Sequence, residues 1–274
     1  MEQLSTTHHP RESSLGQWIY PVISRRAGGL SLGLNLNLDK NCSFACPYCQ
    51  VDRRIPSPAD PPPALGLLKE LDQFLQDYEA QGQYQGHQLK DISIAGDGEP
   101  TLYKELPQLL EGLIKRRSLS ESSYKMVLFT NGTHLNRADL SPLWPQYFAQ
   151  QGEVWFKLDF WDQHSFERAN GKRTEHQAIL TRLLSFGRSH PVTLQTCFFR
   201  HQDEPVNLDF ADLWSDQLLG LLAQGLQVRE IQVYTLARKP TDPRLVPYDD
   251  STMDRVGQQI RALTDQPVEI FYSH

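Results

Sequence analysis

The feature that most constrains the fold of this chain is a repeated alternation between two hydrophobic periods. Apolar residues at every second position predict a β-strand, and apolar residues at every third or fourth position predict an amphipathic helix. This strand-then-helix pair occurs six times along the chain. The predicted strands cover residues 30–38, 91–95, 125–130, 154–160, 192–199 and 228–236, and the predicted helices cover 67–78, 103–117, 140–150, 164–187, 210–223 and 251–263.

Strands that alternate with helices are expected to pair in parallel, because a parallel pair needs a crossover connection of about a dozen residues. Polar side chains at alternate strand positions predict a polar face, which a closed barrel packed with branched apolar side chains would lack. The residues of this face are Asn35, Ser93, Lys157, Asp159, Gln195, Gln232 and Tyr234. We therefore predict an α/β fold, a partial (βα)6 TIM-like barrel with parallel strands and outer helices. A doubly wound sheet is the alternative.

The positions of these repeats predict the domain organisation. We place an N-terminal extension at residues 1–23, a core domain at 24–240, and a C-terminal helix with a further edge strand at 241–274. The first twenty residues lack the apolar segment of a signal peptide, and no apolar run reaches the roughly 18 residues that span a bilayer. The chain is therefore expected to be cytoplasmic, without a membrane partner.

The charge of the chain leaves its substrate class open. The formal net charge is −6, so no overall positive field attracts nucleic acid. Short basic clusters nevertheless occur, for example at Arg25-Arg26 and Arg53-Arg54. We expect no DNA partner, whereas an RNA substrate is neither required nor excluded.

Three of the four cysteines lie within eight residues, as Cys42, Cys46 and Cys49 in a loop after the first predicted strand. Their CxxxCxxC spacing is typical of metal binding, since clustered cysteines do not build a disulfide framework in a chain of this size. Three thiolates can bind three irons of a cubane cluster and leave the fourth iron open. A structural zinc is the alternative, but zinc prefers four protein ligands, and no fourth cysteine or suitably spaced histidine lies nearby. The spacing therefore favours a [4Fe–4S] cluster.

A second motif, Gly96-Asp97-Gly98-Glu99-Pro100, follows the second predicted strand and opens a helix. Its glycines allow the backbone to approach a ligand, and its carbonyls and Glu99 can accept hydrogen bonds from an ammonium group. The alternative is a plain turn and helix start, with Pro100 at the first helical position. Asn131 closes the third strand in a similar way and is either a ligand contact or part of a turn.

These residues resemble the radical S-adenosylmethionine (SAM) superfamily, whose cluster motif is CxxxCxΦC with an aromatic residue at Φ, here Tyr48. The resemblance implies that SAM chelates the open iron and that Tyr48 contacts its adenine. It also implies that one electron cleaves SAM to methionine and a 5′-deoxyadenosyl radical, which abstracts hydrogen from a substrate. A one-electron reductant such as flavodoxin or ferredoxin is then the expected partner.

The resemblance is sharper toward one branch, the wyosine-type tRNA synthases and their small relatives. It rests on Ser24-Arg25-Arg26, Ser31 to Asn35 and the Gly96 motif, and it extends more thinly to Asp159 and Tyr234. No cysteine precedes Cys42, which argues against the second cluster of those synthases. The cofactor contacts that we predict are Tyr48, Gly96, Asp97, Gly98, Glu99, Asn131, Asp159, Gln195 and Tyr234.

Substrate contacts are predicted at Arg25, Lys157 and Cys197. A structural salt bridge is the alternative for Lys157 with Asp159, and a small buried residue is the alternative for Cys197. Three functions are then open: a radical SAM enzyme acting on an RNA nucleotide or another small polar molecule, a radical SAM activase acting on a protein, and a non-catalytic metal-binding protein.

Overall fold

The computed structural model describes residues 18–171 and 175–273. Within these ranges, the strands are β1 Ile19–Ser24, β2 Gly29–Asn35, β3 Leu89–Ala95, β4 Lys125–Thr130, β5 Gly152–Lys157, β6 Val192–Cys197, β7 Phe199–His201, β8 Val228–Tyr234, β9 Leu245–Pro247 and β10 Val268–Phe271. The α-helices are α1 Ala64–Gln81, α2 Leu106–Leu119, α3 Trp144–Ala149, α4 Gln163–Asn170, α5 His176–Gly187, α6 Asp209–Ala223 and α7 Asp250–Thr264. Short 3-10 helices occupy Pro100–Leu102 and Ser141–Leu143.

The main sheet has eight strands in the order β1-β2-β3-β4-β5-β6-β8-β10. Strand β2 pairs in parallel with β3, β3 with β4, β6 with β8, and β8 with β10. Edge strand β1 pairs with β2 in the antiparallel direction. Strands β7 and β9 form a separate antiparallel pair. The sheet is therefore mostly parallel, as the strand–helix alternation predicts.

All six predicted strand–helix pairs have counterparts, and β10 lies at the end of the main sheet opposite β1. Strand β1 was not predicted, because Pro21 interrupts its pattern and proline lacks the backbone N–H of a strand residue. It crosses the predicted boundary between residues 23 and 24. Residues 1–17 of the predicted extension lie outside the described residues. The domain boundaries therefore stay predictions.

The described residues form two compact units. Unit 1 comprises residues 18–43, 56–130 and 137–154. Unit 2 comprises residues 44–55, 131–136, 155–171 and 175–273. Strand β5 runs from the first unit into the second.

Unit 1 has its apolar core between the sheet and helices α1 and α2. Leu30, Leu32 and Leu34 of β2 are completely buried. Helix α1 packs closely on α2, since a Cβ atom on Gly112 would lie 2.3 Å from the side chain of Leu68. Burial of these side chains stabilises the unit by removing apolar surface from water.

A buried carboxylate lies on the other face of the unit 1 strands. Asp91 Oδ1 accepts hydrogen bonds from the hydroxyls of Ser31, at 2.5 Å, and Ser93, at 2.6 Å. Burial raises the pKa of Asp91, although both hydroxyl donors act in the opposite direction. The polar face of β2 and β3 therefore includes a buried carboxylate, Asp91, in addition to the predicted residues Asn35 and Ser93.

Unit 2 positions the cysteine segment through helix α4. The helix starts with a capping box, in which the Asp162 side chain accepts from the Ser165 N–H, and it ends at Asn170. Gly171 then adopts a left-handed conformation with φ of 62°. Phe44 packs edge-on against Phe166 of the same helix, with ring centroids 5.4 Å apart. No helix in the described part of the chain is long and apolar enough to cross a membrane.

Candidate functional site

The Gly96 motif in unit 1 is tied to the end of β2 through Asn35. Asn35 Nδ2 donates to Asp97 Oδ2, and Asn35 Oδ1 accepts from the Asp97 N–H, both at 3.0 Å. Gly96 has a φ of 144°, which favours glycine, and a Cβ atom there would lie 2.5 Å from Asn35 Oδ1. The two predicted residues Gly96 and Asp97 therefore lie together at the carboxyl ends of β2 and β3.

Glu99 is the centre of a hydrogen-bond network in unit 1. Its side chain is 3% exposed, and Oε1 accepts from the Thr101 N–H at 3.1 Å. The same oxygen accepts from the hydroxyls of Thr101 and Thr130, each at 2.6 Å. Glu99 thereby caps the 3-10 helix Pro100–Leu102, as the helix-start interpretation expects. Any contact with an ammonium group would involve the other carboxylate oxygen or backbone carbonyls.

Gly98 is packed against the backbone that precedes Cys42. A Cβ atom at Gly98 would lie 1.9 Å from the carbonyl oxygen of Asn41. The neighbouring Glu99 N–H donates to this oxygen at 2.9 Å. In unit 1 the glycine therefore permits a close approach of the chain's own backbone, next to the first cysteine of the motif.

Backbone hydrogen bonds hold the first half of the cysteine segment in unit 2, residues 44–55. The Ala45 N–H donates to the carbonyl of Asn170 at 2.9 Å. The Thr241 N–H donates to the carbonyl of Cys49, also at 2.9 Å, and the Asp242 N–H donates to that of Pro47 at 3.1 Å. These backbone hydrogen bonds fix the positions of Cys46, Tyr48 and Cys49 within unit 2.

Two sulfur atoms of this segment have polar neighbours. Cys49 Sγ accepts from the Val51 N–H and from Arg53 Nη1, each at 3.4 Å. Cys46 Sγ lies 3.6 Å from Asn170 Oδ1. The donors around Cys49 Sγ fit a sulfur that ligates iron.

In residues 18–171 and 175–273, no three His, Cys, Asp or Glu side chains are grouped as a single metal ion would require. A cubane cluster has another requirement, because each thiolate ligates a different iron. The four cysteines form no disulfide, and Cys42, Cys46 and Cys49 are partly buried.

Tyr48 and Cys197 are connected by Asp159 in unit 2. The Tyr48 hydroxyl donates to Asp159 Oδ2, and Asp159 Oδ1 accepts from the Cys197 N–H at 2.7 Å. Burial, together with the neighbouring Asp159 carboxylate, raises the pKa of Tyr48 well above its ordinary value. Tyr48 is therefore a phenol at neutral pH, and its ring is held by a carboxylate.

Lys157 lies between two aromatic rings of unit 2. Its Nζ donates to the Tyr234 hydroxyl at 2.7 Å, and it lies 5.5 Å from the ring centroid of Tyr48 and 5.2 Å from that of Tyr234. Cations favour such positions over aromatic faces. Cys197 is buried in a small cluster with Leu236 and Leu245, against which Tyr48 and Tyr234 pack.

Gln195, Gln232 and Glu230 form a relay of side chains in unit 2. Gln195 Nε2 donates to Gln232 Oε1 at 2.8 Å, and Gln232 Nε2 donates to Glu230 Oε1 at 2.7 Å. An ionised carboxylate can only accept, so Glu230 fixes the orientation of both amides. Gln195 Oε1 is consequently directed away from Gln232. It is buried and has no hydrogen-bond partner among the described residues.

Two other predicted residues are Asn131 and Arg25. Asn131 Oδ1 accepts from the N–H and the hydroxyl of Thr133, at 3.0 and 2.8 Å, which is the turn interpretation of this residue. Arg25 is partly buried, and burial lowers its pKa. The sequence predicts no contact of Asn170, Thr130 or Arg53 with the motifs, and the structure shows such a contact for each of them.

A cavity of about 510 Å³ in unit 2 borders the cysteine segment at Cys46 and Pro47. Its lining includes Asp242, whose pKa is lowered to about 2 because Arg244 donates to it through its side chain and backbone. The ion pair joins Arg244 Nη2 and Asp242 Oδ2 at 2.7 Å. The lining of the cavity therefore includes one ion pair.

Comparison with known proteins adds the family. Residues 36–160, which contain the cysteine motif and the Gly96 motif, match the model of the Radical SAM superfamily. The chain is 26% identical over 210 residues to the UPF0026 protein slr1464 of Synechocystis sp., covering 72% of this chain and 70% of that protein. It is 31% identical over 121 residues to the GTPase Obg of Brachyspira hyodysenteriae, covering 44% of this chain and only 16% of that protein.

Among solved structures, a mutant of spore photoproduct lyase superposes with a TM-score of 0.57 at 9% identity. The match covers 88% of this chain and 76% of that one. A likeness at this identity shows the fold alone, and it confirms the predicted partial barrel with a mostly parallel sheet and outer helices. The family match over residues 36–160 and the UPF0026 relative therefore make this chain similar to the radical SAM superfamily.

Proposed function

We propose that this chain is a radical SAM enzyme with Cys42, Cys46 and Cys49 as the ligands of a [4Fe–4S] cluster. The observation that carries the proposal is the CxxxCxxC spacing of these cysteines within the part of the chain that matches the superfamily. When bound, the cluster and SAM would supply reductive cleavage to a 5′-deoxyadenosyl radical that takes hydrogen from the substrate. Cysteine ligation at three irons would leave one iron open for SAM.

The surroundings of the cysteines support this assignment. The Val51 N–H and the Arg53 guanidinium donate to Cys49 Sγ, and hydrogen bonds of this kind orient a sulfur that ligates iron. Tyr48, which Asp159 holds through its hydroxyl, would present its ring to the adenine of SAM. The backbone carbonyls near Gly96 and Gly98 would accept from the methionyl ammonium. Asp97, Glu99, Asn131, Gln195 and Tyr234 remain proposed cofactor contacts.

We infer that the substrate is polar, either an RNA nucleotide or another small molecule. Gln195 Oε1 is a buried acceptor with its orientation fixed by Glu230, and Lys157 is a cationic donor on the same polar face. A ligand group that donates to Gln195 and accepts from Lys157 would satisfy both. Arg25 and Cys197 are further candidates for substrate contact. We also propose a cytoplasmic reaction with flavodoxin or ferredoxin as the electron donor.

The proposal can be tested by anaerobic reconstitution of the full chain with iron and sulfide. The wild type should bind on the order of four iron atoms and release 5′-deoxyadenosine from SAM when reduced. Cys42→Ala, Cys46→Ala and Cys49→Ala should each abolish that release, because each removes an iron ligand. Iron content and 5′-deoxyadenosine are measured on the same samples.

Cys197→Ala is the matched control, since the same substitution at the fourth cysteine should leave the iron content at the wild-type level. Release of 5′-deoxyadenosine by Cys49→Ala at the wild-type rate would refute the ligand assignment. A colourless wild-type protein that binds zinc under these conditions would instead support the non-catalytic metal-binding function.

A further inference from the structure

Asn170 lies against the cysteine segment in unit 2 and contacts both its backbone and one of its sulfurs. It is the last residue of α4, and only 2% of it is exposed. Its carbonyl oxygen accepts from the Ala45 N–H at 2.9 Å, and its Oδ1 lies 3.6 Å from Cys46 Sγ. Its Nδ2 is buried and has no hydrogen-bond partner within the described ranges.

The Nδ2 of Asn170 without a partner indicates which kind of sulfur this side chain suits, one that donates a hydrogen bond or one that only accepts. The oxygen and nitrogen of an asparagine amide are assigned from their partners, so the amide can be rotated by 180° about its last bond. A thiol can donate to Oδ1, which leaves the buried N–H group without an acceptor. A thiolate only accepts, and the rotated amide would donate its N–H group to the sulfur. Since a buried orphan N–H is costlier than an under-used carbonyl, the rotated amide suits a sulfur that only accepts, as an iron ligand does.

The backbone next to Asn170 keeps the amide in this place. Gly171 has a φ of 62°, a conformation that favours glycine, and it ends helix α4. A Cβ atom on Gly171 would lie 2.4 Å from the carbonyl oxygen of Ala45. The helix end and the cysteine segment are therefore in direct backbone contact, and the Asn170 side chain has little freedom to move away from Cys46.

We propose that Asn170 is a positioning residue for Cys46. Its carbonyl fixes the backbone of the cysteine segment, and its amide donates a hydrogen bond to the thiolate that ligates the cluster. The inference rests on the proposed function, since it requires that Cys46 ligates iron. Hydrogen bonds to ligating sulfur stabilise the reduced, more negative cluster, so this residue raises the reduction potential.

The test compares midpoint potentials of the full-length protein after anaerobic reconstitution. Asn170→Leu keeps the approximate size and removes the amide, and Asn170→Asp keeps the shape but replaces the donor with a negative charge. Asn170→Ser keeps a smaller donor. Asn136→Leu is the matched control, because Asn136 is an exposed asparagine of unit 2 whose amide donates to the Arg182 carbonyl at 3.1 Å. Potentials are measured by redox titration of the electron paramagnetic resonance signal, with iron assayed in parallel.

We expect the potential to become more negative in Asn170→Leu and more negative still in Asn170→Asp. Asn170→Ser should lie closer to the wild type, and Asn136→Leu should equal it. Wild-type potentials in both Asn170→Leu and Asn170→Asp would overturn this inference and leave the proposed function intact.

Two other outcomes are distinct. A wild-type chain that binds no cluster would overturn the proposed function and this inference together. Loss of the cluster from all three Asn170 variants, with the wild type loaded and secondary structure retained, would overturn the hydrogen-bonding role and make Asn170 a packing residue.

Discussion

Glu99 in unit 1 and Gln195 in unit 2 were predicted as cofactor contacts, but their surroundings differ. Glu99 is 3% exposed, and one of its oxygens accepts three hydrogen bonds from Thr101 and Thr130. Gln195 is completely buried and donates one hydrogen bond, while its Oε1 has no partner among the described residues. The two residues therefore differ although their predicted role is the same. Glu99 holds together the structure around it, whereas Gln195 has an acceptor oxygen without a partner among the described residues.

The difference has an energetic meaning. Buried polar groups that are fully hydrogen-bonded stabilise one conformation, because breaking the network leaves several groups without partners. A buried acceptor without a partner destabilises the protein until a ligand or a water molecule donates to it. Glu99 should therefore affect folding most, and Gln195 should affect ligand binding most.

Glu99→Ala is expected to have the largest effect on stability. It leaves the Thr101 N–H and the hydroxyls of Thr101 and Thr130 without their acceptor, so the free energy of unfolding should fall by about 3 kcal/mol. Urea unfolding followed by circular dichroism measures the change. Glu99→Gln should lose less, since its amide oxygen can still accept.

Glu111→Ala is the control for this prediction, because Glu111 is an exposed glutamate on α2. Its effect should stay within about 0.5 kcal/mol of the wild type. If Glu99→Ala were no less stable than Glu111→Ala, the interpretation of Glu99 as the centre of a folding network would be wrong.

Gly98→Ala should have the next largest effect, and it tests the backbone contact beside Glu99. A Cβ atom 1.9 Å from the Asn41 carbonyl oxygen forces the backbone before Cys42 to move. Overpacking of this kind costs about 1 to 3 kcal/mol. Iron content after reconstitution should also fall, since Cys42 is the next residue.

Gly220→Ala is the matched control for the glycine substitution. Gly220 lies in helix α6, and apart from the adjacent backbone of that helix no atom would lie within 4 Å of a Cβ atom at this position. Replacing glycine by alanine inside a helix should stabilise the protein by up to about 1 kcal/mol. Equal iron contents in Gly98→Ala and Gly220→Ala would contradict a role of Gly98 in placing the cysteine loop.

Asp91 is a second buried carboxylate of unit 1, and its contribution to stability should depend on pH. Because burial raises its pKa, the folded protein binds this proton more readily than the unfolded chain does. The contribution of Asp91 to stability therefore increases as pH falls through the folded pKa, and it is complete below the unfolded value of 3.8. Asp91→Asn removes this dependence while keeping an acceptor for Ser31 and Ser93.

The free energy of unfolding of Asp91→Asn minus that of the wild type should consequently be larger at pH 7 than at pH 4. Urea unfolding of both proteins at the two pH values measures it. A difference that stays constant with pH would show that Asp91 titrates alike in the folded and unfolded states.

Much of the fold follows from local patterns. Strand β4 was predicted with its observed bounds, 125–130, because its apolar residues are followed at once by a turn sequence. The helices were predicted within a few residues, since their apolar stripes persist for several turns. Strand β1 escaped prediction because Pro21 interrupts its run of β-branched and aromatic residues, and its stability comes from pairing with β2.

The candidate site was predictable only where its chemistry lies in one short segment. The three cysteines lie within one short segment and the Gly96 motif within another, so the spacing inside each segment indicates a function. Their partners are distant in sequence: Thr130 is 31 positions from Glu99, and Asn170 is 124 positions from Cys46. Such pairs depend on the packing of whole elements, which a single sequence does not specify residue by residue.

Gln195→Met should have the smallest effect on stability. It tests whether Gln195 Oε1 contacts the cofactor or the substrate. Methionine has a similar volume, so the substitution mainly removes the hydrogen bond to Gln232, and the free energy of unfolding should fall by only about 1 kcal/mol. SAM affinity of the reconstituted protein, measured by calorimetric titration, then separates the two remaining roles. A weaker affinity would make Gln195 a cofactor contact, whereas an unchanged affinity with impaired turnover would make it a substrate contact. A loss of stability as large as that of Glu99→Ala would instead show that Gln195 stabilises the fold as Glu99 does, and the proposed difference between the two residues would be wrong.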